Sequence, residues 1–178
     1  MKRLQILVVG LILVGFVLAM WWKSSPFYHE VRTAATFLEL DAPADQVAKV
    51  LLDFNKYSEW NPYVVRADAP APQSRVVVPF QMKIVEASKD GGHSHRVQMT
   101  NLTDRGFAWS GSLWPSWLLN WSESFEVIPI DDTHSRVEVL QSYQGVLLRS
   151  YWSYQNPKYL AAIKDMGRAL KKRVEQHV

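Results

Sequence analysis

Six strand-like stretches follow one another between Tyr63 and Leu147 with no helical period between them, and this run constrains the fold more than any other feature. They cover residues 63–66, 75–86, 95–103, 106–113, 121–130 and 135–147. Turn signals separate several of them: Asp68-Ala69-Pro70, Asp90-Gly91-Gly92, Asp104-Arg105-Gly106 and Asp131-Asp132-Thr133. Connections this short join antiparallel neighbours, because a parallel crossover needs a dozen or more residues. Alternation is clearest at Val76, Val78, Phe80, Met82 and Ile84, and again at Val137, Val139, Gln141 and Tyr143.

A seventh strand is expected ahead of these, over residues 28–40, ending at Asp41-Ala42-Pro43. A helix follows, with Asp41 or Ala42 as its cap, Pro43 in its first turn and an apolar stripe at Val47, Val50 and Leu51. Asp53 is placed to cap a second short helix over 54–59, which Asn61-Pro62 would stop. From Pro157 to Gln176, Leu160, Ile163, Met166, Gly167, Leu170 and Val174 share one face of a long amphipathic helix. The expected domain is α+β, a curved seven-stranded antiparallel sheet folded around a long C-terminal helix with room for a ligand between them.

Residues 4–22 contain no charge. As a helix they would be roughly 28 Å long, close to the thickness of bilayer hydrocarbon. Lys2 and Arg3 precede the run, and Trp21, Trp22 and Lys23 close it. The expectation is one N-terminal transmembrane helix, residues 1–23 being a membrane anchor or a cleaved signal peptide. Residues 24–30 would then be a short tether and 31–178 the folded domain, placed by the flanking charges on the extracytoplasmic side.

The 178 residues hold 20 basic and 17 acidic side chains and no cysteine. Disulfides and thiolate chemistry are thereby excluded. All 17 acids follow residue 23, while Lys2, Arg3 and Lys23 lie within residues 1–23, so the remainder balances at 17 against 17. A neutral domain without a basic stripe argues against nucleic-acid binding. No phosphate loop, dinucleotide fingerprint or nucleophile elbow occurs, and the histidines lack metal-ligand spacing, so neither cofactor nor metal is expected.

Several segments together resemble the START-like, or Bet v 1-like, superfamily, in particular its SRPBCC branch of polyketide cyclase/dehydrase and lipid-transport proteins. The first is residues 38–66, with Ala42-Pro43, Val47, Asp53, Tyr57 and Trp60-Asn61-Pro62. The second pairs 107–113 (FAWSGSL) with 124–131 (SFEVIPID), and the third pairs 144–147 (QGVL) with 166–175 (MGRALKKRVE). The resemblance covers roughly residues 29–176. It implies the helix-grip fold, in which the sheet wraps the final helix around an apolar cavity. Members bind lipids, sterols, quinones, polyketides or hormones, and some catalyse cyclisation or hydrolysis with a few pocket side chains.

On that frame the candidate ligand-binding residues are Trp60, Phe80, Met82, Trp109, Trp121, Phe125, Gln141, Tyr143 and Met166. Trp60 lies where the short helix returns to the sheet, and Gln141 and Tyr143 offer hydrogen bonds to a headgroup. Glu123 falls between Trp121 and Phe125 on one strand parity, so an inward face would bury its carboxyl. It is the one candidate for catalysis, its other readings being a solvated or salt-bridged carboxylate and a polar ligand anchor. The loop 113–119 (LWPSWLL) is read either as packing on the final helix or as a lid or membrane-dipping surface.

The leading expectation is membrane-tethered binding or transfer of a hydrophobic small molecule, such as a lipid, isoprenoid or quinone. The alternatives are a cyclase/dehydratase or hydrolase-like enzyme on an apolar substrate, and a non-catalytic membrane-tethered interaction module. The enzymatic alternative requires Glu123 to be enclosed, with a pKa raised by desolvation.

Overall fold

The computed structural model describes residues 10, 12–15, 17, 30–69, 79–87 and 93–176. Its strands are β1 (Val31–Leu40), β2 (Val64–Asp68), β3 (Phe80–Glu86), β4 (His93–Leu102), β5 (Gly106–Leu113), β6 (Leu119–Pro129) and β7 (Ser135–Gln144). Helix α1 (Ala44–Leu51), a 3₁₀ turn (Phe54–Lys56) and helix α2 (Tyr57–Trp60) connect β1 to β2. Helix α3 (Leu148–Glu175) follows β7. The strands form one antiparallel sheet in the order β1-β7-β6-β5-β4-β3-β2. Only the β1–β7 pairing joins strands distant in sequence; the others are successive neighbours, as the short connections require.

Strand parity decides which face the helices cover. Met82, Ile84, Val97, Met99, Phe107, Trp109, Phe125, Val127, Val137 and Val139 are all buried, while their strand neighbours, Gly106 apart, are partly or fully exposed. Val47 and Leu51 of α1 and Ile163, Met166, Leu170 and Val174 of α3 close the core from the other side. Helix α3 approaches β1 closely at Gly167, where an added Cβ would lie 2.6 Å from Leu38 Cδ2. Register shifts at Val64/Arg66 and Met99/Asn101 add bends to the sheet.

Several local expectations change. Asp41 does not cap α1, whose N-cap is Pro43. The Pro43 carbonyl accepts the Gln46 and Val47 N–H groups, both at 3.1 Å. Asp41 instead pairs with Lys171 Nζ of α3 at 2.6 Å, a tertiary ion pair that takes the carboxylate from its own helix. The final helix begins at Leu148, ahead of Pro157, which lies inside it on an exposed position. Proline normally ends or kinks a helix, but Leu148, Tyr151 and Trp152 pack on Tyr143 and Leu119 and hold the preceding turns helical.

The membrane-spanning helix is also corrected. Among the described residues no helix is long and apolar enough to cross a membrane. Of the stretch 4–22, residues 10, 12–15 and 17 are described, all helical and exposed. The other residues of 1–23 and the tether 24–29 lie outside the described residues, as do Val76 and Val78. Membrane tethering, a membrane partner and single-pass extracytoplasmic placement therefore drop out of the functional reading.

Candidate functional site

Antiparallel register lines up inward-facing residues of neighbouring strands into rows. One row runs Gln141–Glu123–Trp109–Met99 across β7, β6, β5 and β4. The next row in one direction contains Phe125 and Phe107, whose rings stack with centroids 4.7 Å apart. In the other direction lie Tyr143, Trp121 and Gly111. A Cβ on Gly111 would sit 2.2 Å from Trp121 Cζ2, so glycine is what lets the indole lie across β5. Beyond them Leu119, Tyr143 and Leu148 form a second apolar cluster, with Trp121, Tyr151 and Trp152 packed on it. The polar row thus lies between two apolar clusters inside the fold.

Glu123 is the centre of that row and only 2% exposed. Trp109 Nε1–H donates to its Oε2 at 2.7 Å, and the Tyr63 hydroxyl lies 3.4 Å from its Oε1. Burial pushes its pKa up to about 7, because a charged carboxylate loses water there and gains no cation. The Tyr159, Trp109 and Tyr63 donors pull it down, and the nearby Glu86 charge adds to the rise. Tyr159 is close enough to favour the ionised form, yet its hydroxyl is off regular hydrogen-bond geometry and has no partner. Gln141 Oε1, on the residue directly across from Glu123, is also buried without a partner. Buried polar atoms are nearly always paired, so unused ones beside a titrating acid mark a place for another polar group.

Glu86 and His95 extend the cluster to the rim. Glu86 Oε1 accepts from the Tyr63 hydroxyl at 3.0 Å and lies 3.6 Å from His95 Nε2. The His95 ring meets Trp121 edge to face at 5.7 Å. Burial drives the phenols of Tyr57, Tyr63, Tyr143 and Tyr159 above their ordinary range, which keeps them neutral donors at physiological pH.

The candidate residues separate into groups. Trp109, Trp121, Gln141 and Tyr143 surround Glu123 in its own row and the next. Phe125, Met82 and Met166 are buried in the main core. Phe80 is half-buried and packs against that core from the start of β3. Trp60 is half-buried on α2, edge to face with Tyr57, on the side of the short helices. Sequence reasoning missed the roles of Tyr63, Glu86, His95 and Tyr159. Of these, Tyr159 had a readable signal, standing four and seven residues before Ile163 and Met166 on the buried face of α3. The other three meet only through strand pairing and a loop.

A pocket of about 710 Å³ is lined in part by Gly111, Trp121 and Tyr143, the row next to Glu123. Gln81, Gln98, Ser110, Ser122 and Ser142 line it with side chains of the outward parity. Its lining holds the Tyr143 phenol and Arg96 but no acid, so the acid–base site is assigned to the enclosed cluster around Glu123.

The sequence from residue 30 to 176 matches the family of polyketide cyclase / dehydrase and lipid transport proteins. The chain belongs to that family. No curated protein matches its sequence. Solved structures share the fold at low identity. The di-domain ARO/CYC StfQ from the steffimycin biosynthetic pathway aligns with TM-score 0.65 and 16% identity over 83% of this chain and 51% of that one. Zhui aromatase/cyclase from Streptomyces sp. R1128 aligns with TM-score 0.65 and 11% identity, covering 83% and 95% of the two chains. Norcoclaurine synthase from Thalictrum flavum, in complex with dopamine and hydroxybenzaldehyde, aligns with TM-score 0.60 and 13% identity, covering 84% and 89%. The chain spans about half the length of the di-domain relatives.

Proposed function

We propose that this domain is an acid–base enzyme acting on an apolar, carbonyl-bearing small molecule, in a cyclisation or dehydration. The observation that carries this reading is Glu123, enclosed between apolar clusters with its pKa pushed up to about 7. A carboxyl with that pKa is divided between acid and base near neutrality, where general catalysis is most efficient. As a carboxylate it would take a proton from carbon next to a carbonyl. As an acid it would return that proton to a departing or newly formed hydroxyl. Tyr159 would donate to the carbonyl oxygen as negative charge develops there, and Gln141 Oε1 would accept from a substrate hydroxyl. Aromatic walls at Trp109, Trp121 and Tyr143 suit a flat, weakly polar substrate. The named cyclases and the synthase of like fold support the same class of chemistry.

The test is deuterium uptake. The full chain is incubated in D₂O with a panel of aryl methyl ketones and aryl β-ketothioesters, and incorporation α to the carbonyl is followed by NMR. Enzyme-dependent uptake is expected for at least one, rising with pH through about 7 as Glu123 ionises, and falling on the order of 100-fold or more in Glu123→Gln. Uptake equal in the wild-type and Glu123→Gln proteins would remove Glu123 as the base. Retention of an apolar ligand without turnover is the second reading, favoured by the Trp121, Tyr143, Tyr151 and Trp152 aromatic cluster.

A further inference from the structure

The Tyr63 hydroxyl has two carboxylate oxygens within reach and one proton to give. Glu86 Oε1 lies at 3.0 Å and Glu123 Oε1 at 3.4 Å. A hydroxyl is one donor with lone pairs to accept, so it serves both carboxyls at once only if one of them is protonated. With the proton on Glu123 the contacts order themselves. Glu123 Oε1–H donates to Tyr63 Oη, and Tyr63 Oη–H donates to Glu86 Oε1. The far end of the chain is wet: the Glu86 and His95 side chains are 30% and 26% exposed, against 2% for the whole of Glu123.

We infer that Tyr63 and Glu86 form a proton wire that connects the buried carboxyl of Glu123 with solvent at the rim, His95 standing at its outer end. Tyr63 and Glu86 are positioning and relay residues in this scheme and touch no substrate. In one passage the O–H bond of Glu123 breaks and its proton binds Tyr63 Oη, while the original Tyr63 proton passes to Glu86 Oε1. Glu123 is left as the carboxylate, Tyr63 stays neutral and Glu86 becomes the carboxylic acid; no electrons leave or enter. Both transfers go together, since burial makes a free Tyr63 phenolate unfavourable. Glu86 then releases its proton to water, the buried Nε2 of His95 standing 3.6 Å from its Oε1. Rotation of the Tyr63 hydroxyl resets the wire.

Other groups that bear on Glu123 do not offer a second route. Trp109 on β5 is a donor only, and Gln141 on β7 does not titrate in this range. The Tyr57 hydroxyl on α2 is committed to the Leu51 carbonyl at 2.6 Å, and neither Tyr143 on β7 nor Tyr151 and Tyr159 on α3 hydrogen-bonds a second carboxyl as Tyr63 does Glu86. Glu86 is the one other carboxyl that acts on Glu123. The wire rests on the acid–base reading of Glu123 for its purpose. It would restore that group between turnovers while the substrate side stays closed to water.

Trp109 supplies a reporter, because its indole N–H bonds Glu123 Oε2 and must sense the charge there. The experiment follows the indole N–H signals of the ¹⁵N-labelled full chain with pH, the Trp109 signal being assigned by its loss in Trp109→Phe. The wild-type signal should move with pH around 7 and remain one averaged resonance at the midpoint. In Tyr63→Phe and in Glu86→Gln it should run between two end positions as before. At the midpoint it should broaden or split, with proton exchange slower on the order of tenfold or more. Glu86 lies at the half-exposed rim, so its variant keeps the test alive if Tyr63→Phe fails to fold.

A midpoint signal as sharp in both variants as in wild type overturns the wire, and so does a wild-type signal that does not move between about pH 5 and about pH 9. No substrate is used. A missing deuterium uptake with the exchange effect intact defeats only the enzymatic reading. Intact uptake with unchanged exchange defeats only the wire.

Discussion

The two ends of the interior are built from the same strands and differ in how their atoms are satisfied. Toward one end of β5, β6 and β7 stand Phe107, Phe125, Val127, Val137 and Val139, closed by Ile163 and Leu170 of α3. Apart from the buried Ser135 at the start of β7, the inward groups there are apolar, and packing is most of their chemistry. One row along the same strands come Glu123, Gln141 and Trp109, with Tyr159 above them. Here polar atoms outnumber their partners, and an acid is held where its charge is costly. The first end supplies stability, and the second gives some of it up to keep reactive groups dry.

Three changes would break or sharpen that contrast. The largest effect belongs to the apolar end: Phe125→Ala removes a buried ring stacked on Phe107 and should cost about 3–5 kcal/mol in urea or thermal unfolding. A loss under about 1 kcal/mol would mean that this end is not the structural anchor.

At the polar end, Glu123→Gln should stabilise the protein above neutrality. The folded-state pKa of Glu123 is raised, so the folded chain holds its proton more tightly than the unfolded chain. Between the ordinary value of 4.5 and about 7, stability therefore falls as pH rises, and above that window the loss is complete. The shift corresponds to about 3 kcal/mol. Thermal unfolding at high pH should show a gain of that order for Glu123→Gln, and little difference below the window. A variant less stable than wild type at high pH would contradict the assignment.

Smaller again is Gln141→Leu, which removes a buried carbonyl oxygen that has no partner. Stability should change by no more than about 1 kcal/mol, toward gain, while deuterium uptake by ketones that also carry a hydroxyl drops. A large destabilisation would show that Gln141 carries structural hydrogen bonds after all.

Much of the frame was legible in the chain. Alternation at Met82 and Ile84 and at Val137 and Val139 put the right residues inward. Asp131 and the following residues form the β6–β7 turn, where the Asp131 carboxylate accepts the Thr133 and His134 N–H groups. Glu123 was readable as sharing a face with Trp121 and Phe125, while a solvated or salt-bridged carboxylate stayed open until the structure buried that face. Misreadings arose where local signals met tertiary competition. Asp41 has the chemistry of a helix cap, yet Lys171 claims it; Pro157 resembles a helix start, yet the Tyr143 cluster carries α3 nine residues further back. The uncharged stretch 4–22 reads as a membrane span by hydropathy, and no helix among the described residues is long and apolar enough to cross a membrane.

Periodicity is a property of consecutive residues, and so the sequence alone determined strand identity and which residues share a face with Glu123. What Glu123 meets is set by contacts between residues far apart in the chain. Tyr63 is 60 positions from Glu123, and Glu86, His95 and Tyr159 come from three further elements. Only closure of the sheet against α3 brings them together. Desolvation exists only once that closure is complete, so the tertiary structure decided the raised pKa and the route by which the proton leaves.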